Sequence, residues 1–352
     1  KNNERFYLSK LFPNWVVKYI AIIAKNSSID TAASEGYCIE IGYVTGQIVE
    51  IDKGLILDNL KELLEREYID SESTSMYGDC MVEKVQTKRA KLIEDIRKDM
   101  LNGDVTFKRL EPNECGERNP IRALIDPLEA GCSAANKKFD DISGTLGALF
   151  KIEEDDAVYA LSNFHVFALK ESKLDDTEKI TQPSRSDAKQ INIKSRVIGS
   201  LFWMCKNRKL DAAIAKISVP VNTKSKRSSK MKKIYGISEP KIGMKVIKYG
   251  RTTGATNGVI RSVYCTVNLS DKTNPKKKHI KRHQILTTCM SQQGDSGSIL
   301  VDIKTNMAVG LIFAGRKSVN ATYANKITEV FKSDRTRYKE RVLPTMTFKE
   351  FI

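Results

Sequence analysis

From about residue 120 onward, the chain is rich in short apolar or alternating runs of the length that β-strands need. Residues 157–166 are rich in strand-forming side chains, and residues 299–301 and 308–313 are continuous apolar runs. Short apolar runs between turn residues are typical of strands buried on both sides. The pattern therefore predicts a mainly β domain in the C-terminal two thirds of the chain.

Residues 1–118 show a different, mixed pattern. It predicts a strand or short helix at 15–24, a strand or hairpin at 37–51, an amphipathic helix at 55–68, a strand at 81–85 and a charged helix at 87–101. Pro112 and Gly116 indicate a linker at 111–118. We therefore expect a small N-terminal α/β accessory domain, 1–118, followed by the β domain, 119–352.

Composition describes an ordinary globular protein. The chain has 352 residues, of which 41% are hydrophobic and 29% charged, enough for several domains with cores of their own. No apolar run reaches the roughly 18–20 residues that span a bilayer. Cysteines at 38, 80, 115, 132, 205, 265 and 289 form no Cys-x-x-Cys pair. This favours reduced thiols and a cytoplasmic location, and argues against a zinc site or a disulfide framework.

Candidate chemistry begins at residues 290–298, Met-Ser-Gln-Gln-Gly-Asp-Ser-Gly-Ser. A serine hydroxyl is a poor nucleophile that needs an adjacent base and donors for the developing oxyanion. Glycines on both sides of Ser296 allow a sharp turn and leave backbone N–H groups free to face a carbonyl. On these residues alone, a polar β-turn is an equal alternative.

Upstream of this turn lie a histidine and an acid. His165 closes the strand-like run at 157–166, and Asp211 stands directly before the apolar segment 212–215. The order His, Asp, Ser is that of chymotrypsin-like proteases, not of subtilisin or the α/β-hydrolases. These three residues are therefore the candidate catalytic triad.

Four ordered motifs carry a resemblance to a known family. They are Ser-Gly-Thr-Leu-Gly-Ala at 143–148, Leu-Ser-Asn-Phe-His-Val at 161–166, Gly-Arg-Thr-Thr-Gly-Ala-Thr-Asn-Gly at 250–258 and the serine turn. Over about residues 120–335 the chain resembles trypsin-like serine peptidases, specifically their intracellular, bacterial-type branch. Ser298 departs from the pattern, because most relatives carry a glycine there. A serine is tolerable at that position if its φ is negative.

The resemblance implies two six-stranded antiparallel β-barrels of the chymotrypsin type, one at about 130–219 and one at about 234–323. A C-terminal helix would follow at about 325–342. The resemblance also implies roles for single residues. Ser296 would be the nucleophile, His165 the general base and Asp211 the group that orients it. The backbone N–H groups of Gly294 and Ser296 would form the oxyanion hole, with no metal or organic cofactor and a protein or peptide as substrate.

By the same resemblance, Met290, Ser291 and Gly315 would line the pocket for the side chain that precedes the cut. Trypsin-type preference for Arg or Lys needs a carboxylate in that pocket, and Met290 offers none. We therefore expect cleavage after medium-sized apolar residues such as Leu or Met.

The net charge of +16 is concentrated in two runs, 224–233 and 272–283, each with six Lys/Arg and no acid. The second run supplies the candidate anion-binding residues Lys276, Lys277, Lys278, Lys281 and Arg282. Such runs could attract nucleic acid. No aromatic residue is interleaved to stack on bases, so solvated loops are the favoured interpretation.

Two functions follow as hypotheses. The first is an active serine endopeptidase, regulated through a partner of residues 1–118 and acting as a defence or stress effector. The second is a latent or inactive protease-fold binding module that contacts nucleic acid through its lysine-rich loops.

Overall fold

The computed structural model describes residues 16–24, 37–44, 105–109, 122–169, 177–222, 233–270, 278–316, 321–331, 337–338, 341–342 and 347–352. The chain divides into two compact units, Lys1–Leu110 and Glu111–Ile352.

The N-terminal unit contributes three strands to the described residues: β1 (Val16–Ala24), β2 (Tyr37–Val44) and β3 (Val105–Arg109). β1 and β2 pair antiparallel, and β2 and β3 pair parallel. The segment at 15–24 is therefore a strand, while β3 has no counterpart in the sequence prediction. The helices predicted at 55–68 and 87–101 and the strand at 81–85 lie outside the described residues.

The second unit is built almost entirely of strands. They are β4 (Ser133–Asn136), β5 (Gly144–Thr145), β6 (Ala148–Ile152), β7 (Tyr159–Ser162), β8 (Lys179–Gln182), β9 (Arg196–Lys206), β10 (Asp211–Ile217), β11 (Gly236–Ile237), β12 (Lys245–Gly250), β13 (Gly254–Ser270), β14 (Lys278–Thr288), β15 (Ile299–Asp302), β16 (Met307–Arg316), β17 (Ala321–Lys326), β18 (Arg337–Tyr338), β19 (Arg341–Val342) and β20 (Phe348–Phe351). Among the described residues of this unit, three short helices accompany them: α1 (Phe164–Phe167), α2 (Arg185–Gln190) and α3 (Ile327–Val330).

The first barrel is a curled antiparallel sheet with the strand order β20-β6-β7-β10-β9-β8-β4-β5. Alternate residues of a strand point to opposite faces, and here both faces are apolar. On β10, Ala213 and Ala215 face the interior of this sheet with Leu149. Ile214, on the other face, belongs to a cluster that includes Leu311 of the second barrel. The first barrel therefore has a core of its own and a second apolar face that packs on its neighbour.

The second barrel closes on itself. Its strands follow the order β12-β15-β16-β17-β14-β13, and β13 pairs again with β12, with every neighbour antiparallel. Its interior is filled by an apolar cluster that includes Val246, Ile285, Leu300 and Ile312. Closure removes exposed sheet edges.

This strand order confirms the predicted fold class, a mainly β chymotrypsin-like arrangement of two barrels. The second barrel is a closed six-stranded barrel, whereas the first is a curled half-barrel to which the C-terminal strand β20 adds itself beside β6.

The predicted C-terminal helix at 325–342 is much shorter in the structure. Residues up to Lys326 belong to β17, because that strand pairs with both β14 and β16. Of the described residues in this segment, those of α3 are the helical ones, and its Ile327 and Val330 are buried in the cluster between the barrels. β18 and β19 then pair antiparallel.

Among the described residues no helix is long and apolar enough to cross a membrane. Cys132, Cys205 and Cys265 are buried free thiols, but Cys289 is disulfide-bonded. The expectation of reduced thiols is therefore wrong at Cys289, because spacing along a sequence does not show which thiols meet in the fold.

Candidate active site

His165 lies on the single turn of α1, which follows β7 directly. The flanking side chains Phe164 and Val166 are buried and anchor the turn, while the imidazole remains 38% exposed. Asn163, just before the turn, donates from its side chain to the backbone carbonyl of Asp211 at 2.7 Å. The histidine is thus presented at the surface by a segment that is tied to the strand carrying the acid.

Asp211 opens β10 and contacts His165 with both carboxylate oxygens. Oδ1 accepts the backbone N–H of His165 at 3.2 Å, and Oδ2 lies 3.1 Å from Nδ1 of the ring. Burial, with 8% of the side chain exposed, acts to raise the pKa of Asp211. The charge and hydrogen bonds of His165 and the charge of Lys281 outweigh it and hold that pKa well below its usual range. The carboxylate therefore stays ionised and fixes the imidazole by two contacts.

Ser296 stands on the turn between β14 and β15, where two glycines have positive φ: 99° at Gly294 and 98° at Gly297. Side chains other than glycine rarely adopt this conformation. A Cβ at Gly297 would also collide with the carbonyl of Thr145 and the hydroxyl of Ser162. The Ser296 hydroxyl donates to the carbonyl of Phe313 at 3.3 Å.

The serine turn is held against the strands of the first barrel that precede the histidine. The backbone N–H of Thr145 donates to Ser296 O at 2.8 Å, and the Thr145 hydroxyl donates to Gly294 O at 2.9 Å. A Cβ placed on Gly144 would meet both Val166, beside His165, at 2.5 Å and the carbonyl of Ser296 at 3.1 Å. The structure thus brings the segments of His165, Asp211 and Ser296 to one junction between the barrels.

Two backbone donors at this turn have no acceptor in the described part of the chain. Neither the N–H of Gly294 nor that of Ser296 donates a hydrogen bond to any residue that the structure describes. The carbonyl of Gln293, on the other side of the peptide that contains the Gly294 N–H, accepts the hydroxyl of Thr252 at 2.8 Å. Since the C=O and N–H of a trans peptide point in opposite directions, Thr252 holds this peptide with its N–H directed away from the Thr252 hydroxyl.

Asp295, between the two candidate donors, is fully buried and extensively bonded. Its Oδ2 lies 3.2 Å from the ammonium of Lys248, which is also fully buried, and accepts the Gln292 N–H at 2.9 Å. Its Oδ1 accepts the backbone N–H groups of Thr252 and Thr253 at 2.9 and 3.1 Å. Burial lowers the pKa of Lys248, and the nearby Asp295 carboxylate partly offsets that effect. A charge pair internal to the second barrel therefore fixes the serine turn.

Ser298 differs from the glycine that most relatives carry, and the structure accommodates it. Its φ is not among the positive values of the described residues. Its hydroxyl donates to the carbonyl of Asp295 at 2.6 Å and so closes the turn. The expectation that a small side chain is tolerable here is confirmed.

Of the predicted pocket residues, two are brought together. Ser291 Oγ lies 2.8 Å from the hydroxyl of Thr322, and a Cβ on Gly315 would collide with Ser291 Oγ. Met290 is different, because its side chain is only 1% exposed and belongs to the core of the second barrel. The apolar preference expected from Met290 therefore loses its basis.

The predicted anion-binding residues are spread over different environments. Lys276 and Lys277 lie outside the described residues, and Lys278 is the first residue of β14. Lys281 is 4% exposed, and its ammonium donates to the carbonyls of Asn207 and Leu210 at 2.6 and 2.5 Å. Lys281 is therefore not a surface charge. The backbone N–H of Arg282 donates to Arg208 O at 2.7 Å, and its carbonyl accepts the side-chain amide of Gln284.

Sequence reasoning missed Lys248, Thr252 and Thr145 as parts of the site. Lys248 carries no usable sequence signal, because β12 has apolar side chains on both faces, Val246 on one and Ile247 and Tyr249 on the other, and only the structure shows that the face of Val246 and Lys248 is the buried one. A lysine on the inward face of a strand needs a buried counter-charge. Thr252 and Thr145 lie within quoted motifs, but their partners become apparent only in the folded chain.

No family model matches this chain, and no curated protein matches it. Similar solved structures include a glutamic acid-specific serine protease, with a TM-score of 0.40, 16% identity and coverage of 57% of this chain and 95% of that chain. Nocardiopsis protease has a TM-score of 0.38 and 14% identity, and the match covers 61% of this chain and 98% of that chain. The active form of the Rv3671c protease from M. tuberculosis has a TM-score of 0.36 and 17% identity, and the match covers 66% of this chain and 96% of that chain. The likeness concerns the fold alone, and the assignment of the chymotrypsin-like fold rests on the strand order and barrel closure given above.

Proposed function

We propose that the chain is a serine endopeptidase that hydrolyses peptide bonds through His165, Asp211 and Ser296. The observation that carries the proposal is the pairing of both Asp211 oxygens with the backbone and ring of His165, next to a glycine-flanked serine turn. The two N–H groups of Gly294 and Ser296, which donate to no described residue, support it further. Nucleophile, base, orienting acid and oxyanion donors are the parts that acyl transfer requires.

In acylation, the Ser296 hydroxyl exchanges its hydrogen bond with Phe313 O for one with Nε2 of His165. Its oxygen attacks the scissile carbonyl carbon while His165 takes the proton, and Asp211 stabilises the resulting imidazolium. The carbonyl oxygen becomes an oxyanion that accepts the N–H groups of Gly294 and Ser296. His165 then gives the proton to the leaving amine, and an acyl-enzyme remains on Ser296.

In deacylation, water takes the place of the amine. His165 accepts a proton from this water as it attacks the acyl carbonyl, and returns that proton to Ser296 Oγ as the ester bond breaks. Each oxyanion donor contributes about 10²–10³-fold in kcat in proteases of this design. The reaction needs no metal or organic cofactor.

The proposal does not require a newly freed N-terminus to complete the site. Digestive enzymes of this fold use such a terminus as the cation beside the acid that precedes the nucleophile. Here that acid, Asp295, already has the buried ammonium of Lys248 at 3.2 Å and the N–H groups of Gln292, Thr252 and Thr253. The activity of the protease would then be controlled in another way, and we assign this control to residues 1–118, which would bind a regulatory partner. The protein itself would act as a defence or stress effector.

The substrate is a protein or peptide. A cytoplasmic location is part of the proposal: the buried free thiols of Cys132, Cys205 and Cys265 support it, and the disulfide at Cys289 argues against it. A latent or inactive binding module is the alternative. No described contact favours nucleic-acid binding, because Lys281 of the lysine run is already bonded inside the fold.

The test is turnover of a mixed peptide library by the full chain and by Ser296→Ala. The variant removes one hydroxyl, so we expect turnover to be lost while the melting temperature stays the same. His165→Ala should lose a comparable factor, because members of a triad act as a unit. Wild-type turnover by Ser296→Ala would refute the nucleophile, and an inactive wild type would favour the binding module.

A further inference from the structure

The turn that leads into Asp211 is bonded along its whole length. Residues 207–210, here called the Asp turn, connect β9 to β10, and each of their four backbone carbonyls accepts a hydrogen bond. Lys281 donates to the carbonyls of Asn207 and Leu210, and Arg282 N–H to that of Arg208. The side chains of Gln284 and Asn325 both donate to the carbonyl of Lys209, at 3.0 and 3.2 Å.

All of these donors come from the second barrel, although the Asp turn belongs to the first. Lys281, Arg282 and Gln284 lie on β14, and Asn325 lies on the neighbouring strand β17. Asn325 also donates to Gln284 Oε1 at 2.6 Å and accepts the backbone N–H of Asp211 at 3.0 Å. One barrel therefore holds the acid-bearing turn of the other.

A β-bulge makes this possible. Lys281 and Gln284 are three residues apart, and in a regular strand they would point to opposite faces. The register shows that Gln284 pairs with Cys265 and Lys281 with Val267, so β14 advances three residues where β13 advances two. The extra residue restores both side chains to the same, buried face. His283, inside the bulge, has a φ of 57°, which is uncommon for a residue with a side chain.

Lys281 is the charged member of this set. A buried ammonium is costly unless it is bonded and has a counter-charge. The two carbonyls at 2.6 and 2.5 Å supply the bonds, and the positive charge helps to keep the pKa of the nearby Asp211 carboxyl low. Lys281 thus both closes the Asp turn and favours the ionised carboxylate.

We propose that Lys281, on the bulge of β14, is a positioning residue for Asp211. The inference rests on the proposed serine protease function. It reassigns a lysine that the charge pattern suggested as anion-binding surface. Lys281 touches neither substrate nor reacting atoms. It acts by fixing the backbone from which Asp211 reaches His165, so its loss lets the carboxylate move away from the imidazole.

The experiment compares Lys281→Met, Lys281→Arg and the control Lys245→Met in the full chain. Methionine keeps the length of the side chain but removes the charge and the donors, and Lys245 is an exposed lysine of β12 in the same barrel. We expect Lys281→Met to lower kcat by up to about 100-fold with KM little changed, the effect of a small misplacement of a catalytic group. Lys281→Arg should recover most of the loss, and Lys245→Met should equal wild type.

A double-mutant cycle separates positioning from general destabilisation. Asp211→Asn alone lowers kcat by about 10⁴-fold in a triad of this type. If Lys281 acts through Asp211, Lys281→Met should cost little more once Asp211 is replaced, because the two effects are then not additive. Independent, multiplying losses, or a Lys281→Met variant with wild-type kcat, would overturn the inference.

Hydrogen exchange of the peptide spanning residues 207–211 tests the clamp without using activity. Lys281→Met should exchange faster there while strands β15 and β16 keep their wild-type protection. Unchanged exchange at 207–211 refutes the clamp, even if wild type hydrolyses no peptide. An inactive wild type with faster exchange in the variant would instead contradict the proposed function and leave the clamp standing.

Discussion

Asp211 illustrates how one buried carboxylate is kept ionised although burial alone would raise its pKa. Its oxygens receive the backbone and ring nitrogens of His165, and the ammonium of Lys281 adds a positive charge nearby. A carboxyl whose pKa is lower in the folded than in the unfolded state stabilises the fold above its unfolded pKa, about 3.9 for Asp. That contribution is lost as the pH falls toward the folded-state pKa.

The first prediction follows for Asp211→Asn. Near neutral pH the variant should be less stable than wild type in urea denaturation, because it lacks the ionised contacts. Below about pH 4 the carboxyl of the unfolded wild-type chain takes up protons while that of the folded chain stays ionised, so the difference in the free energy of unfolding should shrink. A difference that stays constant from neutral pH down to about pH 3 contradicts the assigned pKa direction.

Thr252 acts at the same scale on the Gly294 N–H, which we propose as an oxyanion donor. Thr252→Val keeps the shape of the side chain but releases the Gln293 carbonyl, so the peptide that carries the Gly294 N–H can rotate. We expect kcat to fall by up to about 100-fold, the lower range for loss of one oxyanion donor, with KM little changed. Thr266→Val on β13 is the matched control, and equal kinetics for the two variants would refute the role of Thr252.

Single residues also show where sequence reasoning stops. His165, Asp211 and Ser296 could be proposed as a candidate triad from the sequence, because each lies in a short motif and the three follow one another in a diagnostic order. Lys281 could not be assigned correctly, because its burial depends on one extra residue in β14 that changes which face it points to. The resemblance predicts that Met290 lies in the pocket, whereas its side chain packs in the core of the second barrel.

At the scale of elements, the strands around the site follow from apolar runs, but the two ends of the second unit do not. β20 is a short strand that completes the edge of the first barrel at β6. Its Phe348 and Phe351 rings lie 4.7 Å apart, and Phe348 also contacts the rings of Phe150 and Phe331. A four-residue strand with a distant partner has no local signal strong enough to distinguish it from a loop.

Phe351→Ala tests whether β20 is part of the fold. The ring is buried in the cluster between the barrels, so its removal should lower the free energy of unfolding by about 3–5 kcal/mol. Lys349→Ala on the exposed face of the same strand should change it by less than about 0.5 kcal/mol. If urea denaturation shows a similarly small change in the free energy of unfolding for both variants, β20 does not stabilise the first barrel as described.

At the scale of the whole second unit, the site exists only because the two barrels meet. Asp187 on α2 of the first barrel is fully buried against Arg251 from the second, which donates from Nε at 2.7 Å and from Nη2. Ser133 adds a hydrogen bond to the same carboxylate at 2.6 Å. Arg251 in turn lies beside Gly294, so this ion pair joins the barrels next to the serine turn.

Asp187→Ala should therefore destabilise the second unit strongly. Removing one partner of a buried ion pair leaves the other charge uncompensated, which costs about 3–5 kcal/mol. Asp140→Ala is the control, because Asp140 is 61% exposed where it meets Arg185, and exposed pairs contribute at most about 1 kcal/mol. Equal urea midpoints for the two variants would contradict a structural role for the pair between the barrels.

The central claim is that Ser296 is an activated nucleophile, and labelling with a fluorophosphonate probe tests it most directly. The folded full chain should form one adduct, mapped by mass spectrometry to Ser296. Labelling should be absent in Ser296→Ala, strongly slowed in His165→Ala and lost on denaturation, because the hydroxyl depends on its folded neighbours for reactivity. A folded wild-type chain that remains unlabelled, or one labelled equally with Ser296→Ala, would contradict the account.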